Sequence, residues 1–79
     1  MKIQYFPDTD TLLISLNSRP VAESSDLDED TLLDLDADGN IVAITVEHAS
    51  SRVDLEHFAF ERVAAQSQQA ITGKAERNT

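Results

Sequence analysis

The chain contains no cysteine, which excludes disulfides and thiolate metal sites and leaves the fold to its core, with help from a partner at this size. Glycine is nearly absent as well, with two in 79 residues, so there is no glycine-rich loop to cradle a phosphate. No Gly-x-Ser-x-Gly elbow surrounds any of the serines at 15, 18, 24, 25, 50, 51 and 67, and a nucleophilic triad is not indicated. Long apolar runs are missing too. Stretches such as Ile41 to Val46 fall far short of the roughly 20 residues a membrane span needs, and Met1-Lys2 leads into a strand pattern rather than a signal-peptide apolar region. A soluble, cytoplasmic protein of one domain is the expectation, burying roughly 60% of the surface its unfolded chain would expose.

Positive charge is the last scarcity. Six Lys and Arg stand against fifteen Asp and Glu, and residues 1–47 carry the whole formal charge of −9 while the remainder balances to zero. Between Glu23 and Asp38 there are eight acids and no base. Such a field repels phosphates, which argues against direct nucleic-acid binding, and it steers basic partners toward the strip.

What is present is a period of two. Lys2 to Phe6 alternates polar and apolar, Pro7 to Thr11 is a turn cluster, and Leu12 to Leu16 alternates again, which predicts a hairpin. After Asn17-Ser18-Arg19-Pro20 comes a short edge strand at Val21 to Ser24, its polar side chains discouraging further pairing, and then a loop at Asp26 to Asp30. Leu32 to Leu35 and Ile41 to Val46 read as two strands closed on a turn at Asp38-Gly39-Asn40, where Gly and Asn tolerate positive φ. Leu12, Ile14, Leu16, Leu33, Leu35, Val42, Ile44 and Val46 are the expected core. Ser51-Arg52-Val53-Asp54 has the spacing of a capping box, which predicts a helix to about Ala65. At helical spacing Leu55, Phe58, Ala59 and Val63 form one stripe, facing the sheet, and Val53, Phe60 and Ala64 fall nearly opposite, as a dimer or partner interface. Gln66 to Thr79 reads as a flexible polar tail following a 1–65 domain.

Three carboxylates invite a metal reading. Asp34-x-Asp36-x-Asp38-Gly39 matches the opening of a calcium-binding EF-hand loop, with apolar Ile41 at the eighth position. The twelfth position, where a bidentate Glu belongs, is Thr45, and the flanks read as strands rather than helices. In a strand, Asp34 and Asp36 share a face but stand roughly 7 Å apart, too far to close on one ion without breaking the ladder. His48 and His57 lie nine residues apart across the expected strand-to-helix break, which does not suit zinc's need for convergent ligands. No catalytic residue and no cofactor site emerges.

Taken together, Tyr5-x-Pro7-Asp8-x-Asp10-x-Leu12-x-Ile14-x-Leu16, Val21-Ala22-Glu23-Ser24, Leu33-Asp34-x-Asp36-x-Asp38-Gly39-Asn40-Ile41-Val42-x-Ile44 and Ala49-Ser50 resemble the small prokaryotic family called domain of unknown function 2283. The resemblance covers roughly residues 1 to 53 and is most specific at the Asp-x-Asp-Gly-Asn-Ile-Val turn and the later Ala-Ser. It implies a small antiparallel sheet carrying a helix, without an established catalytic activity. Because some members are encoded beside small toxin-like proteins, it also implies an antitoxin-like role. The chain departs from the pattern at Thr31 and Ala43, where the family usually has Gly, and at Thr45, where a Glu is common, so no role of that Glu carries over.

The sequence therefore predicts an α+β protein: a small antiparallel β-meander of four or five strands with one C-terminal helix packed on it. Its expected function is a non-enzymatic interaction module, homodimeric through Val53, Phe60 and Ala64 or a sheet edge, with a basic protein such as a small toxin as further partner. The alternative is a calcium-binding protein using Asp34, Asp36 and Asp38.

Overall fold

A computed structural model describes residues 1–65; the tail expected at 66–79 lies outside the described residues. Five strands form a single antiparallel sheet: β1 (Lys2–Phe6), β2 (Thr11–Ser15), β3 (Glu23–Asp28), β4 (Thr31–Leu35) and β5 (Ile41–Glu47). Their spatial order is β1-β2-β5-β4-β3, so the last of the described strands is the middle one. The sheet is thus antiparallel, as the alternation requires, but not a simple meander. The β1-β2 hairpin is followed by a crossing to the far edge, and β3, β4 and β5 then return until β5 pairs with β2.

Residues 16–22 make that crossing over the ends of β5 and β4. The Leu16 N–H donates to the Val42 carbonyl at 2.8 Å and the Ala22 N–H to the Leu35 carbonyl at 2.7 Å. Midway, the Arg19 guanidinium reaches Asp36 at 3.3 Å.

Register sets the two faces. Ile3 faces Ile14 and Tyr5 faces Leu12 across β1-β2; Ile14 and Leu12 face Ile44 and Val46 across β2-β5; Leu33 faces Ile44 across β4-β5. One face is therefore apolar. The other carries Lys2, Gln4, Thr11, Ser15, Thr45, Glu47 and Asp34, with Leu13, Leu32 and Ala43 among them. Burial is shallow for a core: Leu12, Val42, Ala43 and Ala49 are buried, whereas Ile14, Ile44, Val46, Leu33 and Leu35 keep part of their surface open.

The expected C-terminal helix is not formed, and among the described residues the one helical piece is a 3-10 turn at Ala49–Ser51. The residues meant to start the helix make this single turn and the turn is not continued. Both the N–H and the hydroxyl of Ser51 donate to the His48 carbonyl, and the Val53 N–H returns to Ala49. Asp54 accepts the Glu56 N–H at 3.2 Å in a local turn, and Arg52 is anchored on Asp28 and Thr31. The chain then runs on as an irregular arm. A helix would turn Val53 and Phe60 away from Leu55 and Phe58; the arm brings all four to the apolar face. Fold class is therefore mostly β. The stretch expected as a loop at Asp26 to Asp30 is also corrected: β3 continues to Asp28, because an exposed edge strand tolerates polar side chains on both faces.

At the β4-β5 turn Gly39 has φ +84°, and an added Cβ would meet nothing within 4 Å. Gly39→Ala thus tests backbone strain alone. The expected cost is roughly 1–2 kcal/mol, read as a lower denaturation midpoint with unchanged slope.

Candidate functional site

The acidic motif at the β4-β5 turn is built into the backbone. Asp36 is 7% exposed, and its Oδ1 accepts the N–H groups of both Asp38 and Asn40 at 2.9 Å. Those bonds, first Asn40's and then Asp38's, together with the Arg19 guanidinium, hold its carboxyl below the ordinary value. Asp34 accepts the Ser24 hydroxyl at 2.7 Å from the neighbouring edge. Asp38 is exposed at the tip. The three carboxylates are engaged separately, and among the described residues no group of three or more His, Asp or Glu is placed to hold a metal ion.

The histidines are likewise kept apart by different acids. His48 Nδ1 lies 3.0 Å from Asp30 Oδ1 and His57 Nδ1 lies 3.0 Å from Asp54 Oδ2. The Asp30 hydrogen bond, and then its charge, raise the His48 pKa.

A cluster invisible to local sequence reading sits at the opposite end of the sheet from Asp36. Asp10, at φ +55°, accepts the Tyr5 hydroxyl at 2.6 Å, the Ser50 N–H at 3.0 Å and the Ser50 hydroxyl at 2.7 Å. Its own carbonyl accepts the Ala49 N–H at 2.9 Å. The Tyr5 hydroxyl and then Ser50 lower the Asp10 pKa, and the same bond raises that of Tyr5. This knot fastens the β1-β2 turn to the exit of β5. Beside it Asp28, its pKa lowered first by the Asp30 N–H and then by Arg52, ties the β3-β4 turn to the start of the arm. Asp10 and Ser50 are 40 residues apart, so local periodicity could not join them; both lie in the stretches that carry the family resemblance, which was the one signal available.

Between the arm and the sheet lies an open apolar groove of about 740 Å³. Its floor is Met1, Ile3, Tyr5, Leu12 and Ile14, and its wall is Val53, Leu55, Phe58 and Phe60, with Asp54 the one charged residue among those described. Phe58 and Phe60 remain 69% and 71% exposed. Of the three residues expected at an interface, Val53 and Phe60 thus line one groove with Leu55 and Phe58, while Ala64 is exposed and outside the groove lining. The acidic strip occupies the far edge, where β3 is exposed along its length.

The described residues thus form a one-layer antiparallel sheet whose turns are tied by carboxylates and whose apolar face the arm covers in part. Residues 2–50 match the family described as Protein of unknown function (DUF2283), and the chain belongs to that family. The match takes in all five strands and the Asp10–Ser50 knot, and it ends before the arm. No curated protein and no solved structure matches the chain.

Proposed function

We propose that the protein is a non-enzymatic, cytoplasmic interaction module that binds itself and a basic protein partner, in an antitoxin-like role. The observation that carries this reading is the apolar face, which among the described residues is only partly covered, while the opposite face mixes polar residues with Phe6, Leu13, Leu32 and Ala43. Domains bury such a side against a second layer, and among the described residues the arm alone lies over it. The acidic edge supports the second half of the reading. Glu23, Asp26 and Asp28 on β3 and Glu29 and Asp30 at its turn form a negative border that attracts a basic protein and repels nucleic acid. Calcium binding is the weaker reading, because the carboxylates of Asp34 and Asp36 are already engaged by Ser24 and by the turn's own N–H groups.

The test is sedimentation of the full chain, purified from its native host, at about 100 μM. The expected result is a species heavier than the 8.7 kDa chain. A strictly monomeric species with no co-purifying protein overturns the reading.

A further inference from the structure

The β4-β5 turn holds the chain's one Asp-Gly pair, Asp38-Gly39. Such a pair is chemically reactive, because the glycine nitrogen has no neighbouring Cβ to hinder it and can reach the carboxyl carbon of the preceding aspartate. In that step the Gly39 nitrogen loses its proton, a bond forms from it to Cγ of Asp38, and one carboxyl oxygen leaves as water. The product is a five-membered cyclic imide. Water then reopens the ring at either carbonyl. One opening restores aspartate; the other gives a β-linked residue, in which the main chain runs through Cβ and Cγ and is longer by a methylene. The sequence of steps is neutral in water and needs no oxidant or other co-reactant.

Nothing steric blocks this reaction in the folded chain. Asp38 is exposed, and a Cβ placed on residue 39 would meet no atom within 4 Å. What opposes the reaction is a set of hydrogen bonds that all involve one residue. Asp36 Oδ1 accepts the N–H groups of Asp38 and Asn40 at 2.9 Å each. The Asp36 carbonyl accepts the Gly39 N–H, the nucleophile itself, at 3.0 Å, and the Asp36 N–H donates to the Asn40 carbonyl at 2.9 Å. Asp38 does not have a positive φ, so the closed turn is of type I, which holds this residue at a ψ of about 0°. In that conformation the Gly39 nitrogen points away from the Asp38 side chain. Ring closure requires ψ to swing round, and the swing is incompatible with the Gly39 and Asn40 bonds.

From this geometry we infer that Asp38 is a site of isomerisation masked by the fold, and that Asp36 is the residue that masks it. While Asp36 holds the turn, the Asp38-Gly39 bond is inert; when the turn opens, the β-linked form accumulates. The turn joins β4 to the middle strand, and a main chain lengthened there cannot restore the pairing that begins at Leu35 and Ile41. This inference concerns the integrity of the sheet and stands apart from the interaction reading.

The test measures the rate at which the β-linked form appears at Asp38 in the full chain, kept for weeks at neutral pH and constant temperature. The change leaves the mass unaltered, so peptide mapping with electron-transfer fragmentation locates it. Opening the turn breaks at least two of the bonds to Asp36, and the native wild type is therefore expected to isomerise at least ~10-fold more slowly than the same chain unfolded in guanidinium chloride. Equal rates overturn the inference. Among native proteins, Asp36→Ala deletes the carboxylate that collects the two N–H groups, and its rate is expected to exceed the wild type's at least ~10-fold. The control is Asp34→Asn, which alters a neighbouring carboxylate that bonds Ser24 instead of the turn; its rate is expected to match the wild type's. A native Asp36→Ala that keeps the wild-type rate, or an Asp34→Asn that is as fast as Asp36→Ala, overturns the role given to Asp36. Far-UV circular dichroism establishes which variants are native. If Asp36→Ala does not fold, Asp36→Asn takes its place with a smaller acceleration expected, because the uncharged amide oxygen is the weaker acceptor; no acceleration overturns the role in the same way.

Discussion

Replacing Leu12 by alanine is expected to cost about 2–4 kcal/mol, a large share of the roughly 4–12 kcal/mol that a chain of 79 residues commands. Leu12 is 7% exposed and sits where the β1, β2 and β5 columns meet, opposite Tyr5 on one side and Val46 on the other. Removing three carbons there opens a void between elements that the backbone ladder holds apart, so the site cannot collapse to fill it. A fall in melting temperature of about 10–25 °C follows for a domain of this size. Leu13, one residue along on the polar face and opposite Gln4 and Thr45, is the comparison: Leu13→Ala is expected to cost less than half as much. Equal losses at the two positions, measured by urea denaturation, would show that the apolar face is not the core.

The second large effect is a stability maximum bounded on both sides by pH. Asp10, Asp28 and Asp36 have pKa values lowered from 3.8. Their contribution is present above that value and is lost as pH falls through the lower folded values. His48 has a pKa raised from 6.5. Its contribution is complete below 6.5 and is lost as pH rises through the folded value. Melting temperature is therefore expected to be highest between about pH 4 and 6.5, to fall steeply below that window and to decline gently above it. The acid limb is the steep one because the three carboxylates hold three separate turns, so protonation unfastens the β1-β2, β3-β4 and β4-β5 connections together. His48→Asn keeps a residue that tolerates the observed φ of +55° and removes the titration. The alkaline decline should disappear in this variant while the acid limb stays. An unchanged alkaline decline would assign it to another group.

Strand positions were readable in the sequence because a sheet with one apolar face writes its period into the chain, and β1, β2, β4 and β5 follow it within a residue or so. The end of β3 was hidden, since an edge strand open on both sides carries no alternation and Asp26 to Asp28 looks like a loop. The arm was misread for a different reason. Leu55, Phe58, Ala59 and Val63 fall on one stripe at helical spacing, and Ser51 and Asp54 stand at capping distance. The anchor that local spacing could not show is Arg52 on Asp28, 24 residues away. The metal-like motif was legible as chemistry, and the structure shows what one of its carboxylates bonds to. A short acidic side chain that can surround an ion can equally gather the N–H groups of its own turn, and Asp36 does the latter.

The position of β5 also governs how the protein is born. As the chain leaves the ribosome, the β1-β2 and β3-β4 hairpins emerge first, each with an apolar side and no neighbour, and neither can join the other until the strand that lies between them has been synthesised. Formation of the sheet therefore waits on residues 41–47, which pair with β4 across a short turn and with β2 across a long loop. Topologies of this non-local kind fold slowly for their length, and any release of the nascent chain before Glu47 yields two sticky ribbons rather than a smaller sheet.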